Sequence, residues 1–178
     1  DDMLFIKVYL EGSFPVEFKH LKSEVVHLLN SFKAIGKENI QFEFINPNDV
    51  ENEKEKIKLF SQLVKDGLNP TDIEIRTSAT KSSQIIFPSA LIYYKNKQQP
   101  VNFLKNSITK RPGENINFSI ENLEYEFITA IHYLLRKNVK KIAFLDGNGE
   151  LSKNELYDIS ESSLNDNNKL SYYYEVDR

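Results

Sequence analysis

His20, Glu24 and His27 fall at i, i+4 and i+7 along one helix flank, a spacing at which two imidazoles and a carboxylate could clamp a metal ion. The flank borders an apolar stripe, and we read it as a solvated surface rather than a metal site. His132 completes the histidines and has no acidic or nucleophilic partner at catalytic spacing. Cysteine is absent, which excludes disulfides, thiolate nucleophiles, CxxC redox chemistry and Cys-ligated zinc. Ser82, Ser83 and Ser89 occur outside any Gly-x-Ser-x-Gly elbow. Glu121, Glu124 and Glu126 form a carboxylate cluster, which we read as compensation of a helix dipole rather than as acid–base machinery. No catalytic residue, metal ligand or cofactor site is expected, and the chain is read as a non-enzyme.

Two further groups concern binding. Asp146-Gly147-Asn148-Gly149-Glu150, with Glu155 beyond, resembles the later part of a calcium-binding EF-hand loop. Phe144 stands where the first ligand would be, and a strand precedes the loop where a helix belongs. We read it as a glycine-rich strand-to-helix turn. Open α/β sheets bind ligands at the carboxyl ends of their strands, so Asp146, Asn148 and Glu150 are the candidate ligand or partner contacts. Tyr93-Tyr94 and Tyr172-Tyr173-Tyr174 could stack on a sugar ring, but strand propensity explains them first. Asn117-Phe118-Ser119 is a formal glycosylation sequon to which we attach no role.

The elements that would hold these residues alternate. Leu4 to Leu10 reads as a strand covered on both faces. Leu21, Val25, Leu28, Leu29 and Phe32 mark an amphipathic helix that Gly36 ends. Ile40 to Ile45 is a second strand. Asn48 or Asp49 caps a helix with the stripe Ile57, Phe60, Val64, ending at Gly67. Ile73 to Arg76 is a short strand, 77–83 a polar loop, and Gln84 to Tyr94 a strand broken by Pro88. Lys95-Asn96-Lys97 turns the chain into Val101 to Leu104. Residues 105–118 read as a polar surface loop, and Ser119 caps a helix with the stripe Ile120, Leu123, Phe127, Ile131, Leu134 and Leu135. Ile142 to Leu145, a weaker helix over 153–164 and Leu170 to Val176 follow. Strand and helix alternation implies a sheet with parallel pairs.

The chain has 178 residues, 40% hydrophobic and 28% charged, enough for a sizeable core without staples. A net charge of −3 with no basic stripe argues against a dedicated nucleic-acid binder. No apolar run is long enough to span a membrane. Asp1-Asp2-Met3 leads almost directly into a strand, as in a segment cut from a longer chain, so an anchor or signal would not show.

Phe87-Pro88-Ser89-Ala90-Leu91-Ile92-Tyr93-Tyr94-Lys95-Asn96-Lys97-Gln98 resembles the thioredoxin-fold segment in which a cis-proline opens a strand. That resemblance implies a cis bond before Pro88. It also places the redox cysteines of such folds near Ser13-Phe14-Pro15, where no thiolate can form.

A wider resemblance rests on ordered blocks: Val8 to Lys19, Phe42 to Pro47, Leu63 to Thr71, Ser119 to Phe127 and Lys141 to Leu151. Together they are similar to the GldG family of gliding-motility-associated ABC-transporter auxiliary (substrate-binding) proteins of Bacteroidota. The family's last block often reads Gly-His-Gly-Glu, and this chain has Asn148. The resemblance implies a membrane-anchored, non-enzymatic protein at the periplasmic face of the inner membrane, working with permease and ATPase subunits, its anchors outside this chain. It also implies that a second α/β domain begins at about Lys141 and is cut short.

The resulting expectation is an α/β protein. A thioredoxin-like mixed sheet flanked by helices occupies 1–138 without redox cysteines. The partial start of a second α/β unit, β-α-β, occupies 139–178. The function expected is a non-catalytic extracytoplasmic interaction module of an ABC-transporter complex linked to gliding or secretion, with sheet edges and the 105–118 loop as contact surfaces. The alternative is a sugar- or peptide-binding solute module. A β-α-β unit cannot bury its own strands, so its last strand is a candidate for homo-oligomer pairing.

Overall fold

The computed structural model describes residues 3–76, 81–105, 112–145, 152–160, 170 and 174–177. The fold is mixed α/β, built on a four-stranded mixed sheet flanked by helices. In chain order the elements are β1 (Leu4–Val8), α1 (Val16–Gly36), β2 (Ile40–Phe44), α2 (Glu53–Lys65), β3 (Thr71–Arg76) and β4 (Lys81–Ile86). Then come β5 (Ser89–Tyr94), β6 (Lys97–Asn102), α3 (Pro112–Leu135), β7 (Lys140–Ala143), α4 (Lys153–Ser160) and β8 (Tyr174–Asp177).

The central sheet has the order β2-β1-β5-β6. β1 runs parallel to β2 (Ile6 opposite Phe42) and antiparallel to β5 (Ile6 opposite Ile92), and β6 returns antiparallel on β5. A parallel neighbour needs a crossover, which α1 supplies between β1 and β2. One sheet face carries Leu4, Ile6, Val8, Ala90, Ile92 and Val101. These pack with Leu21, Val25 and Leu29 of α1 and Leu123, Phe127, Ala130 and Leu134 of α3. Phe127 meets Phe32 edge-on at 6.2 Å and Phe103 at 5.7 Å. The other face carries Tyr9, Leu91 and Phe87 beneath Leu59, Phe60 and Leu63 of α2. β3 and β4 form a separate hairpin that buries Ile73 and Ile86 in the first core.

Several expectations change. The polar stretch before Ser119 is helical from Pro112, a residue suited to a first helical turn because its missing N–H needs no partner there. Ser119 is therefore no cap. Its buried hydroxyl donates back to the Asn115 carbonyl (2.7 Å) and accepts from the Lys105 amide (2.8 Å). Asn52, not Asn48 or Asp49, caps α2 by accepting from the Lys54 amide (2.9 Å). Pro47–Asp49 is instead a separate 3₁₀ turn closed by the Asn46 side chain. The buried stripe of α2 is rotated: Ile57 and Val64 are 63% and 50% exposed, and Leu63 is the buried residue. Residues 81–83, the end of the expected loop, belong to β4 and pair with β3 together with the expected strand residues 84–86. Leu170 is helical, and the last strand begins at Tyr174.

Pro88 also departs from expectation. No peptide bond among the described residues is cis. The Ser89 amide donates to the Phe87 carbonyl (2.8 Å), closing a three-residue turn centred on Pro88. An inverse γ-turn takes a φ close to the one the pyrrolidine ring enforces, so the bend into β5 is made with a trans bond. The Pro88 carbonyl then accepts from the Phe103 amide (2.9 Å).

Candidate interaction surface

Strand alternation decides which side chains face outward. On β1, Leu4, Ile6 and Val8 are buried while Phe5 and Lys7 are only half-buried. α2 roofs the end of this second face near Tyr9 and Leu91. Toward the other end lie Phe5 and Lys7 on β1, Gln41 and Glu43 on β2 and Tyr93 on β5, set side by side by the register Phe5 opposite Gln41 and Tyr93. The Lys7 ammonium stands 5.9 Å from the Phe5 ring centroid, 5.8 Å from that of Tyr93 and 3.8 Å from the Glu43 carboxylate. One cation thus holds two aromatic faces and an acid in a single strip.

The strip's inner border is polar. The Tyr9 hydroxyl donates to that of Tyr93, and Asp66 lies close to both. Burial, reinforced for Tyr9 by Tyr93 and for both by the negative Asp66, holds the two phenols above their ordinary pKa. The Asp66 carboxylate also accepts from Gln62 (3.0 Å) and Gln98 (3.1 Å), which ties α2 to β6.

Outward from the strip, β2 is an edge strand, paired only with β1 among the described residues. A groove of about 510 Å³ runs along it, lined by Phe5, Lys33, Lys37, Glu38, Ile40, Gln41, Phe42 and Glu43. Phe5, Gln41 and Glu43 belong to both groove and strip, so the two form one continuous surface. An edge strand offers unpaired backbone donors and acceptors, and the half-covered aromatics beside it offer anchoring area. The opposite edge, β6, carries buried Pro100 and is fastened by Asn102. That side chain accepts from the Asn69 amide and the Ser89 hydroxyl (2.8 Å each) and donates to the Gly67 carbonyl (2.9 Å).

The singled-out residues are dispersed. Asp146, Asn148 and Glu150, and with them the EF-hand-like turn, lie outside the described residues. His20 stands 3.6 Å from Glu24, and among the described residues no group of three or more His, Asp or Glu side chains converges as a metal would require. Glu126 is buried deep within α3 rather than near its start, and its carboxylate pairs with Lys105 (2.8 Å). It fastens the segment after β6 instead of compensating a dipole. Phe14, at the thioredoxin cysteine region, is buried in the core, and a groove of about 280 Å³ lies between Pro15 and Phe18 of the α1 start, Ile73 of the hairpin and Ile116. The Phe5–Lys7–Tyr93 strip was not anticipated. Its signal was Lys7, one charge amid an apolar strand, which marks a face that meets water.

Over residues 1–93 the chain matches the family model described as Domain of unknown function (DUF7088). No curated protein and no solved structure matches. Among the described residues no helix is long and apolar enough to cross a membrane.

Proposed function

The chain belongs to the DUF7088 family, and from that premise we propose that it is a non-catalytic, extracytoplasmic interaction module of an ABC-transporter complex serving gliding motility or secretion. The observation that carries the reading is the half-covered strip of Phe5, Lys7 and Tyr93 running into β2, an edge strand among the described residues. A partner segment laid along β2 would extend the sheet through backbone hydrogen bonds. The two rings beside it would bury apolar area at small entropic cost. The fold reading behind it is thioredoxin-like. The order β2-β1-β5-β6, with α1 as crossover and α3 after the last strand, supports that reading, β3 and β4 being an insertion. The trans bond at Pro88 is a departure from that pattern.

The partners would be the permease and ATPase subunits at the inner membrane, reached from its periplasmic face through anchors outside this chain. Affinity capture of the full-length protein from solubilised membranes tests the proposal. Both subunits should co-purify, and Phe5→Asn, which leaves the roofed cores intact, should cut their recovery several-fold. Recovery of neither subunit with the unaltered protein overturns it.

A further inference from the structure

α2 sets Leu59, Phe60 and Leu63 against the sheet and so turns its opposite side to solvent. Along that side Lys54, Lys58, Ser61 and Lys65 fall at i, i+4, i+7 and i+11, all exposed, on one ridge of the helix. Ile57 and Val64 border the ridge and are 63% and 50% exposed. Among the described residues, none of the three ammonium groups stands within ion-pair distance of a carboxylate. No residue of the ridge belongs to the Phe5–Lys7–Tyr93 strip or to the β2 groove.

Helix stability does not account for this pattern. The dipole favours Lys65 in the last turn, but it disfavours Lys54 in the first, where Glu53 and Glu55 answer it. Lys58 stands between the two ends, and from Lys56 to Lys65 the helix carries no acid at all. Burial does not account for Ile57 and Val64, two aliphatic side chains left in water beside the charges.

The spacing and the residue types say what covers the face. Lys54 and Lys65 stand about 17 Å apart along the axis, at 1.5 Å per residue, so no single phosphate or carboxylate meets both. The cations are all lysine, and no arginine or aromatic ring shares the ridge. Protein interfaces favour arginine, tyrosine and tryptophan and are poor in lysine. A lysine stem lies along apolar material while its ammonium stays at a polar level, which suits the boundary between acyl chains and headgroups.

We propose that this face of α2 rests on an anionic lipid surface. The three ammonium groups meet lipid phosphates, and Ile57 and Val64 enter the boundary beneath the headgroups. The contact is peripheral and reversible, because three charges and two short side chains hold far less than a spanning helix does. It decides which side of the central sheet faces the bilayer: the side that α2 roofs.

The test co-sediments the purified full chain at low ionic strength with phosphatidylcholine vesicles, with or without phosphatidylglycerol. Binding is expected to the phosphatidylglycerol vesicles, about tenfold or more above phosphatidylcholine alone, with release as salt is raised. Lys54→Gln with Lys58→Gln and Lys65→Gln should weaken it by about tenfold or more. Ile57→Ser with Val64→Ser keeps every charge and should weaken it several-fold. Lys19→Gln with Lys33→Gln and Lys97→Gln, an equal loss of charge at exposed lysines elsewhere, should leave it within twofold. The chain has no cysteine, so Ser61→Cys takes one environment-sensitive dye on the ridge and Ser31→Cys takes one on the exposed side of α1. Emission from position 61 should shift to the blue on anionic vesicles, and emission from position 31 should not. Circular dichroism checks that each variant is folded. No binding to anionic vesicles, binding unchanged in the α2 lysine variant, equal weakening by the control, or a shift at position 31 alone overturns the proposal. Retention on immobilised polyglutamate without binding to vesicles assigns the face to an acidic protein and overturns it as well.

Discussion

Single side chains outside any recognisable motif fasten this molecule. Asn102 joins the turn after α2 to both β5 and β6 through three hydrogen bonds, and the Ser89 hydroxyl that it accepts from is fully buried. At about 1 kcal/mol per bond, plus the cost of a stranded hydroxyl, Asn102→Ala should cost about 2–3 kcal/mol in urea unfolding. In an Ser89→Ala background the same change should cost less, because no buried hydroxyl is left without its acceptor. Nothing in the order of residues marks Asn102 or Ser89, since their meeting depends on how β6 returns along β5. Tyr9 and Tyr93 carry a pH signature instead. Their folded pKa values are raised above the ordinary tyrosine value of about 10. The neutral phenols therefore contribute full stability below that value, and the contribution is lost as pH rises from it toward the folded pKa. Between pH 10 and 11 Tyr9 should steepen the loss by up to about 1.4 kcal/mol per pH unit, and Tyr93 acts in the same direction. Tyr9→Phe should flatten the measured slope by one group's share, whatever it does to stability at pH 8.

At the scale of elements, helices and strands were legible wherever apolar spacing is regular, and their ends were not. Leu21, Val25 and Leu29 of α1 and Leu123, Phe127 and Leu134 of α3 are buried as their spacing requires. The start of α3 was hidden because 112–118 carries polar residues on what is still a helix, and the roof of α2 was misjudged because Leu59 and Leu63 compete with Ile57 and Val64 for the core. Two junctions give expected outcomes. Lys95 opens the β5–β6 turn with φ 53°, a conformation that costs a residue with a Cβ roughly 1–2 kcal/mol. Lys95→Gly removes that strain and loses a cation–π contact with Tyr94, 5.1 Å away. A net gain of about 0.5 kcal/mol should appear as a raised denaturation midpoint. Gly36, at the end of α1, is needed for close approach. A Cβ there would stand 2.6 Å from both Cδ1 and Cγ1 of Ile40. Gly36→Ala should therefore destabilise by about 1 kcal/mol although alanine is the better helix former. In an Ile40→Ala background, with the obstruction gone, the same change should stabilise, and a double-mutant cycle reads the coupling.

For the whole molecule, the question is whether one cooperative unit or two are present. α3 packs on α1 and β6 and so belongs to the central sheet. After it, β7 pairs in parallel with β8, and these two strands pack chiefly on each other. A two-stranded sheet has little capacity to stabilise itself. Leu145 and Tyr157 are 73% and 64% exposed, while Leu156 of α4 is buried. The division at 138/139 comes from the family resemblance, this physical shortage agrees with it, and it makes a definite claim about energy. If the second unit contributes little to the first, a chain ending at Asn138 should unfold cooperatively with a midpoint close to that of the full chain. Trypsin should cut the full chain first among Arg136, Lys137, Lys140 and Lys141, leaving a resistant core of the size of residues 1–138. A truncated chain that fails to fold, or loses more than about 2 kcal/mol, would show instead that the last forty residues complete the first core.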